Sequence, residues 1–480
     1  MKTNKLKTFS DMCKKREVKS SGRAVILKAD RSLFGRIIVM AQVRSLNMED
    51  ILSHPLGPLP WALSTPDGLL RKTNKATLAT ALQKNVALQE KHPENSATVV
   101  DGMNLVQRVK GDEVTFRDVA TTILGMALRE GSQSRRIDVV FDTYKQNSIK
   151  NSERSLRGEE TGHELQDITS TQMVRQWRNF LSKVNSKTSL ISFIVNEWRK
   201  PQYREKLQEK ILYATVIDKC YRITYQDSEE VSTLHCQQEA ADGRLLLHAA
   251  REGYQSIVIC SEDTDVFIMS LAFCDKIEAP LFLKCGTRTR TRLVAIRKVA
   301  ATVGMDTCRA LIGLHAYTGC DTVSAFAGKG KTRALTLLMN NKETQDTFLK
   351  LGQEWDLSPE LSNKLEAFTC VLYAPKASTT MINKLRYHLF CAKKGEIESH
   401  QLPPCKDSLR QHTLRANYQA GIWKRCLEKD PQVPSPVGRG WKMETEEEGA
   451  QTCKLTECEN QVTCVESSDE DEDDMENDDD

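Results

Sequence analysis

The chain has 480 residues, of which 39% are hydrophobic and 28% are charged, so it is long and apolar enough for roughly two or three folded domains and is not disordered throughout. It contains no apolar run of about eighteen residues, and its charged start lacks an apolar signal segment, which predicts a protein that neither spans a membrane nor is secreted. Fifteen cysteines without regular spacing favour a reducing, intracellular environment. Lys14, Lys15 and Arg16 form a short basic run that favours the nucleus.

The net charge of +3 hides an uneven distribution along the chain. Residues 467–480 carry ten carboxylates and no lysine or arginine, so taking these ten negative charges out of the total of +3 leaves +13 on the rest. A body this basic favours a polyanionic partner such as DNA or RNA, although a merely soluble surface would also explain the charge.

The predicted elements begin with an N-terminal segment, residues 1–95, that contains an apolar stretch at 33–41 and a Pro-rich turn at 54–61. From about residue 96 the pattern changes to short apolar strands that each end in an acidic residue. Helix-like stretches such as residues 116–130 lie between them, with apolar residues at helical spacing. This alternation predicts an α/β fold in which helices flank a parallel sheet.

The rest of the chain divides by composition. Residues 159–210 form a polar, basic insertion that we expect to be helical, within a core that spans residues 96–340. Residues 341–430 are predicted to be a helical region. Residues 431–480 are Pro-rich and then acidic, with few large apolar residues, and are predicted to be a disordered tail.

Seven acidic residues are candidates for one shared site, because the carboxyl ends of parallel strands converge on one crevice. Four follow predicted strands, two lie three apart in a predicted helix, and one follows a glycine that permits a tight turn: Asp101, Asp142, Asp263 and Asp265; Glu239 and Asp242; and Asp321. Each acid alone is better explained as a turn residue or a helix cap. Their number and order favour the shared site.

Converging carboxylates repel one another unless a cation neutralises them, and hard oxygen ligands suit Mg²⁺ or Mn²⁺. Such a site supports phosphodiester hydrolysis by two metal ions. The sequence therefore predicts a metal-dependent nuclease in which all seven acids are catalytic candidates and four are the preferred metal ligands: Asp101, Asp263, Asp265 and Asp321. The alternative is a catalytically inactive protein of the same fold that binds nucleic acid or acts as a scaffold.

Arginines at alternate positions form a first candidate surface for nucleic acid. In an extended backbone, Arg288, Arg290 and Arg292 place their guanidinium groups on one face, which suits contacts to phosphates. A solvated edge strand protected by its charge explains the pattern equally well.

The order of the acidic motifs resembles that of the PIN-like nucleases, particularly their flap-endonuclease branch. The likeness rests on the acids after the first two strands, the acid at the start of a helix, the S-x-D-T-D-V block at residues 261–266 and the Gly-Cys-Asp at 319–321, and it covers roughly residues 96–340. It implies a PIN-like fold and Mg²⁺- or Mn²⁺-dependent cleavage of DNA or RNA. The sequence departs from that branch where Ala240 and Ala241 separate Glu239 from Asp242.

The resemblance continues into a basic turn. Gly328, Gly330 and Ala334 match the G-x-G-x-x-x-A of that branch's helix-hairpin-helix, whose backbone N–H groups bind phosphate. It implies that the basic residues of this turn add positive charge there: Lys329, Lys331 and Arg333. Blocks at residues 53–78, 319–331, 406–427 and 434–444 also resemble a family of animal proteins of mobile-element origin, which implies no function beyond the PIN-like core.

Overall fold

The computed structural model describes residues 45–445, apart from gaps at 57–58, 66–67, 111–113, 146–147, 151–166, 252, 287–290 and 393–398, together with residue 43 and the strands at 16–20, 23–27 and 451–455. Among these residues, no helix has the length and apolar character needed to cross a bilayer. Arg288, Arg290 and the acidic residues 467–480 lie outside the described residues.

The strands, in chain order, are β1 (Arg16–Ser20), β2 (Arg23–Leu27), β3 (Ser96–Asp101), β4 (Arg136–Val140), β5 (Ile211–Val216), β6 (Lys219–Ile223), β7 (Ser228–Glu230), β8 (Ser256–Cys260), β9 (Leu281–Cys285), β10 (Arg292–Ala295), β11 (Trp441–Thr445) and β12 (Gln451–Leu455).

The helices are α1 (Met48–Leu52), α2 (Ala76–Gln83), α3 (Gly102–Gln107), α4 (Phe116–Glu130), α5 (Trp177–Ser182), α6 (Val184–Trp198), α7 (Pro201–Arg204), α8 (Ala241–Ala249), α9 (Thr264–Phe273), α10 (Ile296–Val303), α11 (Met305–Tyr317), α12 (Lys331–Met339), α13 (Lys342–Lys350), α14 (Pro359–Tyr373), α15 (Ile382–Ala392) and α16 (Lys406–Lys424). Short 3₁₀ turns lie at Glu205–Leu207, Ser232–Leu234 and Ser399–Gln401.

An eight-stranded sheet in the order β10-β9-β8-β3-β4-β5-β6-β7 forms the centre of the fold. The five strands from β9 to β5 are parallel, whereas β10, β6 and β7 are antiparallel to their neighbours. The predicted α/β fold with flanking helices is confirmed, but the sheet is mixed rather than wholly parallel. The reason is that only a few residues separate β9 from β10, β5 from β6 and β6 from β7, and such short connections link only antiparallel strands.

Helices cover both faces of the sheet, as the nearly continuous apolar sequences of its central strands require. Along β3, Val99 packs in one core with residues of α8, α9, α11 and α16, while Val100 packs in a second core with residues of α3, α4 and α6. Successive side chains of a strand point to opposite faces, so one strand serves both cores. The insertion contributes α5, α6 and α7, and its described part is largely helical as expected.

A buried ion pair joins the sheet to α8. Asp138 in β4 is fully buried, and its two oxygens accept hydrogen bonds from Arg136 at 2.6 and 2.5 Å. His248, near the end of α8, lies 2.7 Å from the same carboxylate through Nδ1. Burial alone would raise the pKa of Asp138, but the Arg136 charge and the His248 hydrogen bond outweigh it and lower that pKa. The pair therefore fixes α8, which carries Asp242, against the sheet.

The N-terminal segment docks by backbone hydrogen bonds onto the residues that follow the Gly-Cys-Asp motif. The Ala325 N–H donates to the Arg71 carbonyl at 2.7 Å, and the Ala327 N–H donates to the Ala62 carbonyl at 2.8 Å. This pairing places the start of α2 next to the residues that follow α11.

Part of the C-terminal stretch is ordered rather than tail-like. Trp441 is buried in a cluster with Ile149 and Tyr418, and the Tyr418 hydroxyl donates to the Pro434 carbonyl at 2.8 Å. The disorder expected from residue 431 therefore does not extend to residues 431–445, while residues 456–480 lie outside the described part of the chain.

The turn at Gly319 generates a stability prediction. Its φ is +107°, and an added Cβ would lie 2.8 Å from the Ala325 Cα, so Gly319→Ala should lower the free energy of unfolding by roughly 2–5 kcal/mol through strain and backbone overlap. Gly328 has a φ of +65° and open space around it, so Gly328→Ala should cost only about 1–2 kcal/mol. Urea unfolding of both variants measures the difference, and equal losses would contradict the clash.

Candidate metal centre

Two of the predicted acids lie at or just beyond the ends of neighbouring parallel strands and cap the helices that follow. Asp101 is the last residue of β3, and its Oδ1 accepts from the backbone N–H groups of Met103 and Asn104 at 2.8 and 3.1 Å. Asp263 follows β8 and accepts from the Asp265 N–H at 2.9 Å. Since Val100 pairs with Cys260 in register, both strands end at the same level. These acids are helix caps and site residues at once.

Two further acids reach the same place from β4 and α8. Asp142 follows β4, and its Oδ1 accepts from the Ala241 N–H, the first of α8, at 2.7 Å. Asp242 lies in the first turn of α8, where its Oδ2 is 3.1 Å from Lys150 Nζ. Because Asp142 caps α8 from another segment, the helix begins at Ala241.

The expected pairing of Glu239 with Asp242 on one helix face is wrong, because Glu239 precedes α8. Its Oε1 accepts from the Ser148 hydroxyl at 2.8 Å instead. The Ala240–Ala241 interruption noted in the sequence coincides with the start of the helix.

These acids line a cleft of about 640 Å³ at the carboxyl edge of the sheet. Five of the seven predicted acids line it: Asp101, Asp142, Asp242, Asp263 and Asp321. Asp265 lies behind Asp263 and is only 4% exposed. Carboxylate oxygens of Asp242, Asp263 and Asp265 lie within 4.8 Å of one another, the arrangement that a shared cation requires. This tightest group takes in Asp242, which was not among the four preferred ligands.

An ammonium group lies among these carboxylates. Lys75 Nζ is 3.1 and 3.0 Å from the two oxygens of Asp265, 3.0 Å from Asp321 Oδ1 and 3.8 Å from Asp263 Oδ1. Burial alone would lower the pKa of Lys75, but the three carboxylates outweigh it and raise that pKa. Lys75 is therefore a charged ammonium that neutralises part of the cluster.

His315 holds Asp265 from the protein interior. Its Nε2 is 2.8 Å from Asp265 Oδ1, and its ring stacks on Trp423 at 5.5 Å between centroids. Burial, with the nearby Lys331 charge, lowers the pKa of His315 to about 4, so we assign a neutral ring that donates from Nε2. Burial would raise the pKa of Asp265, yet the His315 hydrogen bond and the Lys75 charge hold it well below its usual range.

The pKa values of three other carboxyl groups, those of Asp101, Asp242 and Asp263, shift in the opposite direction. Burial, followed by the charges of Asp142 and Asp242, raises the pKa of Asp101 to about 7. Burial, followed by the charges of Asp265 and Asp242, raises the pKa of Asp263 to about 8. Burial also raises the pKa of Asp242 against the opposing Lys150 charge. The cluster is thus short of positive charge despite its lysines.

The basic residues predicted to contact nucleic acid differ in how far they are exposed to solvent. Lys331 is buried, and its Nζ donates to the His315 carbonyl and the Thr318 hydroxyl, both at 2.9 Å, so it cannot reach a phosphate outside. Lys329 is partly exposed, with its Nζ 4.6 Å from the Tyr373 ring centroid. Arg333 is also partly exposed, and Arg292 is exposed at the start of the edge strand β10.

Sequence reasoning missed Lys75, Lys150 and His315. Lys75 is 190 residues from Asp265 in the chain, and no motif spacing links the two. His315 is likewise fifty residues from its partner Asp265, and no motif links them.

Neither the models of known protein families nor the curated protein sequences give a match to this chain. The likeness to PIN-like nucleases accordingly rests on the motifs alone.

Replacing Asp263 and replacing Asp265 should change the stability of the protein in opposite directions. The native pKa of Asp263, about 8 against a usual 3.8, means that the metal-free folded state binds more protons than the unfolded state between these values, so stability falls as pH rises through this window. Asp263→Asn should flatten that fall and raise the melting temperature at pH 8. Asp265→Asn should instead destabilise by up to about 3 kcal/mol, because Lys75 and His315 lose their shared partner.

Thermal unfolding in EDTA between pH 5 and pH 9 measures both effects. A rise in melting temperature for both variants at pH 8 would contradict the assignment of Lys75 and His315 as partners of Asp265.

Proposed function

We propose that the protein hydrolyses phosphodiester bonds of DNA or RNA and that it needs Mg²⁺ or Mn²⁺ to do so. The observation that carries the proposal is the convergence of carboxylates from β3, β4, β8, α8 and the segment after α11 on one cleft. These acids are spread over more than two hundred residues of sequence and still form one group. Separate roles in turns and helix caps would not require them to converge.

The donor chemistry fits a hard divalent cation. Asp242, Asp263 and Asp265 offer carboxylate oxygens within reach of one ion, and Asp101 and Asp142 border the same cleft. Burial and the neighbouring carboxylates raise the pKa values of Asp101 and Asp263, and a bound cation would offset this repulsion. A bound divalent ion would polarise a phosphoryl oxygen and lower the pKa of a bound water.

The chain's own cations suit an anionic substrate. Lys75, Lys150 and Lys187 line the cleft with the acids, and ammonium groups bind phosphate oxygens. A nucleic-acid backbone entering the cleft would therefore meet lysines on its approach to the carboxylates. The fold that supports this reading is the PIN-like one implied by the motif order.

A second candidate function is nucleic-acid binding without cleavage. The observation that favours it is the pairing of Asp265 and Asp321 with Lys75 and of Asp242 with Lys150, since these contacts neutralise carboxylates without a metal ion. In that case the cleft would keep the structure of a nuclease site without its activity, and the basic surface would still bind nucleic acid.

Cleavage assays distinguish the two functions. Labelled single-stranded, flapped and duplex DNA and RNA should be cut in Mg²⁺ or Mn²⁺ and left intact in EDTA. Asp242→Asn and Asp263→Asn should each lower the rate on the order of 100-fold or more, because each removes a carboxylate ligand of the divalent ion that polarises the phosphate. Glu209→Gln changes an exposed acid before β5 and is the matched control, which should keep the parent rate. Binding without cutting under every condition would favour the second function.

The turn after Gly328 gives a binding prediction. Each lost phosphate contact lowers the slope of log affinity against log salt by about one, so Lys329→Ala with Arg333→Ala should flatten it by about two. Lys331 is left unchanged because its ammonium is buried. Lys219→Ala changes an exposed lysine at the start of β6; it is the control and should leave the slope as it is. A salt series on duplex DNA tests this, and an unchanged slope in the double variant would remove the turn from the interface.

A further inference from the structure

The Lys75 ammonium has the coordination that a bound cation would have. Its three N–H donors face carboxylate oxygens of Asp265, Asp321 and Asp263, at 3.0 Å from the first two and 3.8 Å from the third. Its side chain is 19% exposed, so little water takes part in this neutralisation.

Asp265 has little capacity left for metal ions. Its Oδ1 accepts from both His315 Nε2 and Lys75 Nζ, and its Oδ2 accepts from Lys75 as well. A carboxylate offers about four acceptor positions, so three of them are taken and one remains. Asp265 can therefore serve one ion but not bridge two.

The segment that carries Lys75 is anchored rather than loosely attached. Backbone hydrogen bonds join Arg71 to Ala325 and Ala62 to Ala327, as described above. In α2, which begins directly after Lys75, Leu78 and Leu82 are buried in the same core as residues of α9 and α12. These contacts hold the Lys75 backbone beside the carboxylates, so its ammonium stays within reach of Asp265.

We propose that Lys75 is the second cation of this site, so that the cleft takes up one divalent ion, held by Asp242, Asp263 and Asp265, instead of the two ions expected from the sequence. This inference rests on the proposed function, because it takes the cleft to be a metal site. What it adds is the number of ions that the carboxylates bind. Lys75 is a positioning residue that fixes Asp265 and Asp321.

Counting bound Mn²⁺ tests this directly. The full-length protein is freed of metal with EDTA and titrated with MnCl₂, and free Mn²⁺ is followed by electron paramagnetic resonance. Mn²⁺ bound by the Asp242→Asn, Asp263→Asn double variant is subtracted, which removes weak binding by other acids such as residues 467–480. The parent should then bind one ion, and Lys75→Met should bind a second.

Two controls separate charge from other effects. Lys75→Arg keeps the positive charge and should still bind one ion. Lys84→Met removes an exposed lysine at the end of α2 and should also bind one. The melting temperature gives a second readout, since Lys75→Met should be less stable than the parent in EDTA and should gain more from Mn²⁺.

The outcomes distinguish this inference from the proposed function. Two ions in the parent, or one in Lys75→Met, would overturn the role of Lys75 even if the protein cuts nucleic acid. One ion in the parent and two in Lys75→Met, without cleavage of any substrate, would support the role of Lys75 and overturn the nuclease. No specific binding by either protein would overturn both. Should Lys75→Met fail to fold, the count in the parent still decides.

Discussion

Mutual repulsion among buried carboxylates is the constraint on which the candidate site depends. Carboxylates brought together away from water are unfavourable unless each finds a donor or a positive charge. The chain supplies three kinds of compensation: helix N-termini for Asp101, Asp142 and Asp263, the His315 imidazole for Asp265, and ammonium groups at Lys75 and Lys150. The raised pKa of Asp263 shows that the compensation is incomplete.

Sheet topology explains why these particular acids meet. β3 lies between β8 and β4, all three run parallel, and the acids after them emerge at one edge. The buried Asp138–Arg136–His248 group then holds α8 so that its first turn faces the same edge. The antiparallel edge strands widen the sheet without adding acids to this edge, so they do not change the site.

Features that depend on residues close together in the sequence could be predicted, whereas those that depend on contacts between distant parts of the chain could not. The strand-end positions of Asp101 and Asp263 follow from local pattern and topology, and the structure brings them together as expected. Glu239 was misplaced because the start of α8 is decided by Asp142, about one hundred residues away. Lys331 is buried because its ammonium donates to His315 and Thr318, at the end of α11. The basic sequence around Lys331 does not indicate these partners.

The position of Lys75 links the N-terminal segment to the chemistry of the cleft. Because the ammonium neutralises Asp265 and Asp321, docking of that segment and retention of charge on these acids stabilise each other. Linkage is reciprocal, so a cation that displaces the ammonium from Asp265 must also weaken the docking of that segment. The backbone hydrogen bonds at Ala325 and Ala327 keep Lys75 beside Asp265, so a competing cation would have to displace an ammonium that stays close to the carboxylate. A divalent ion that binds beside Lys75 instead of replacing it is therefore the arrangement most compatible with the fold.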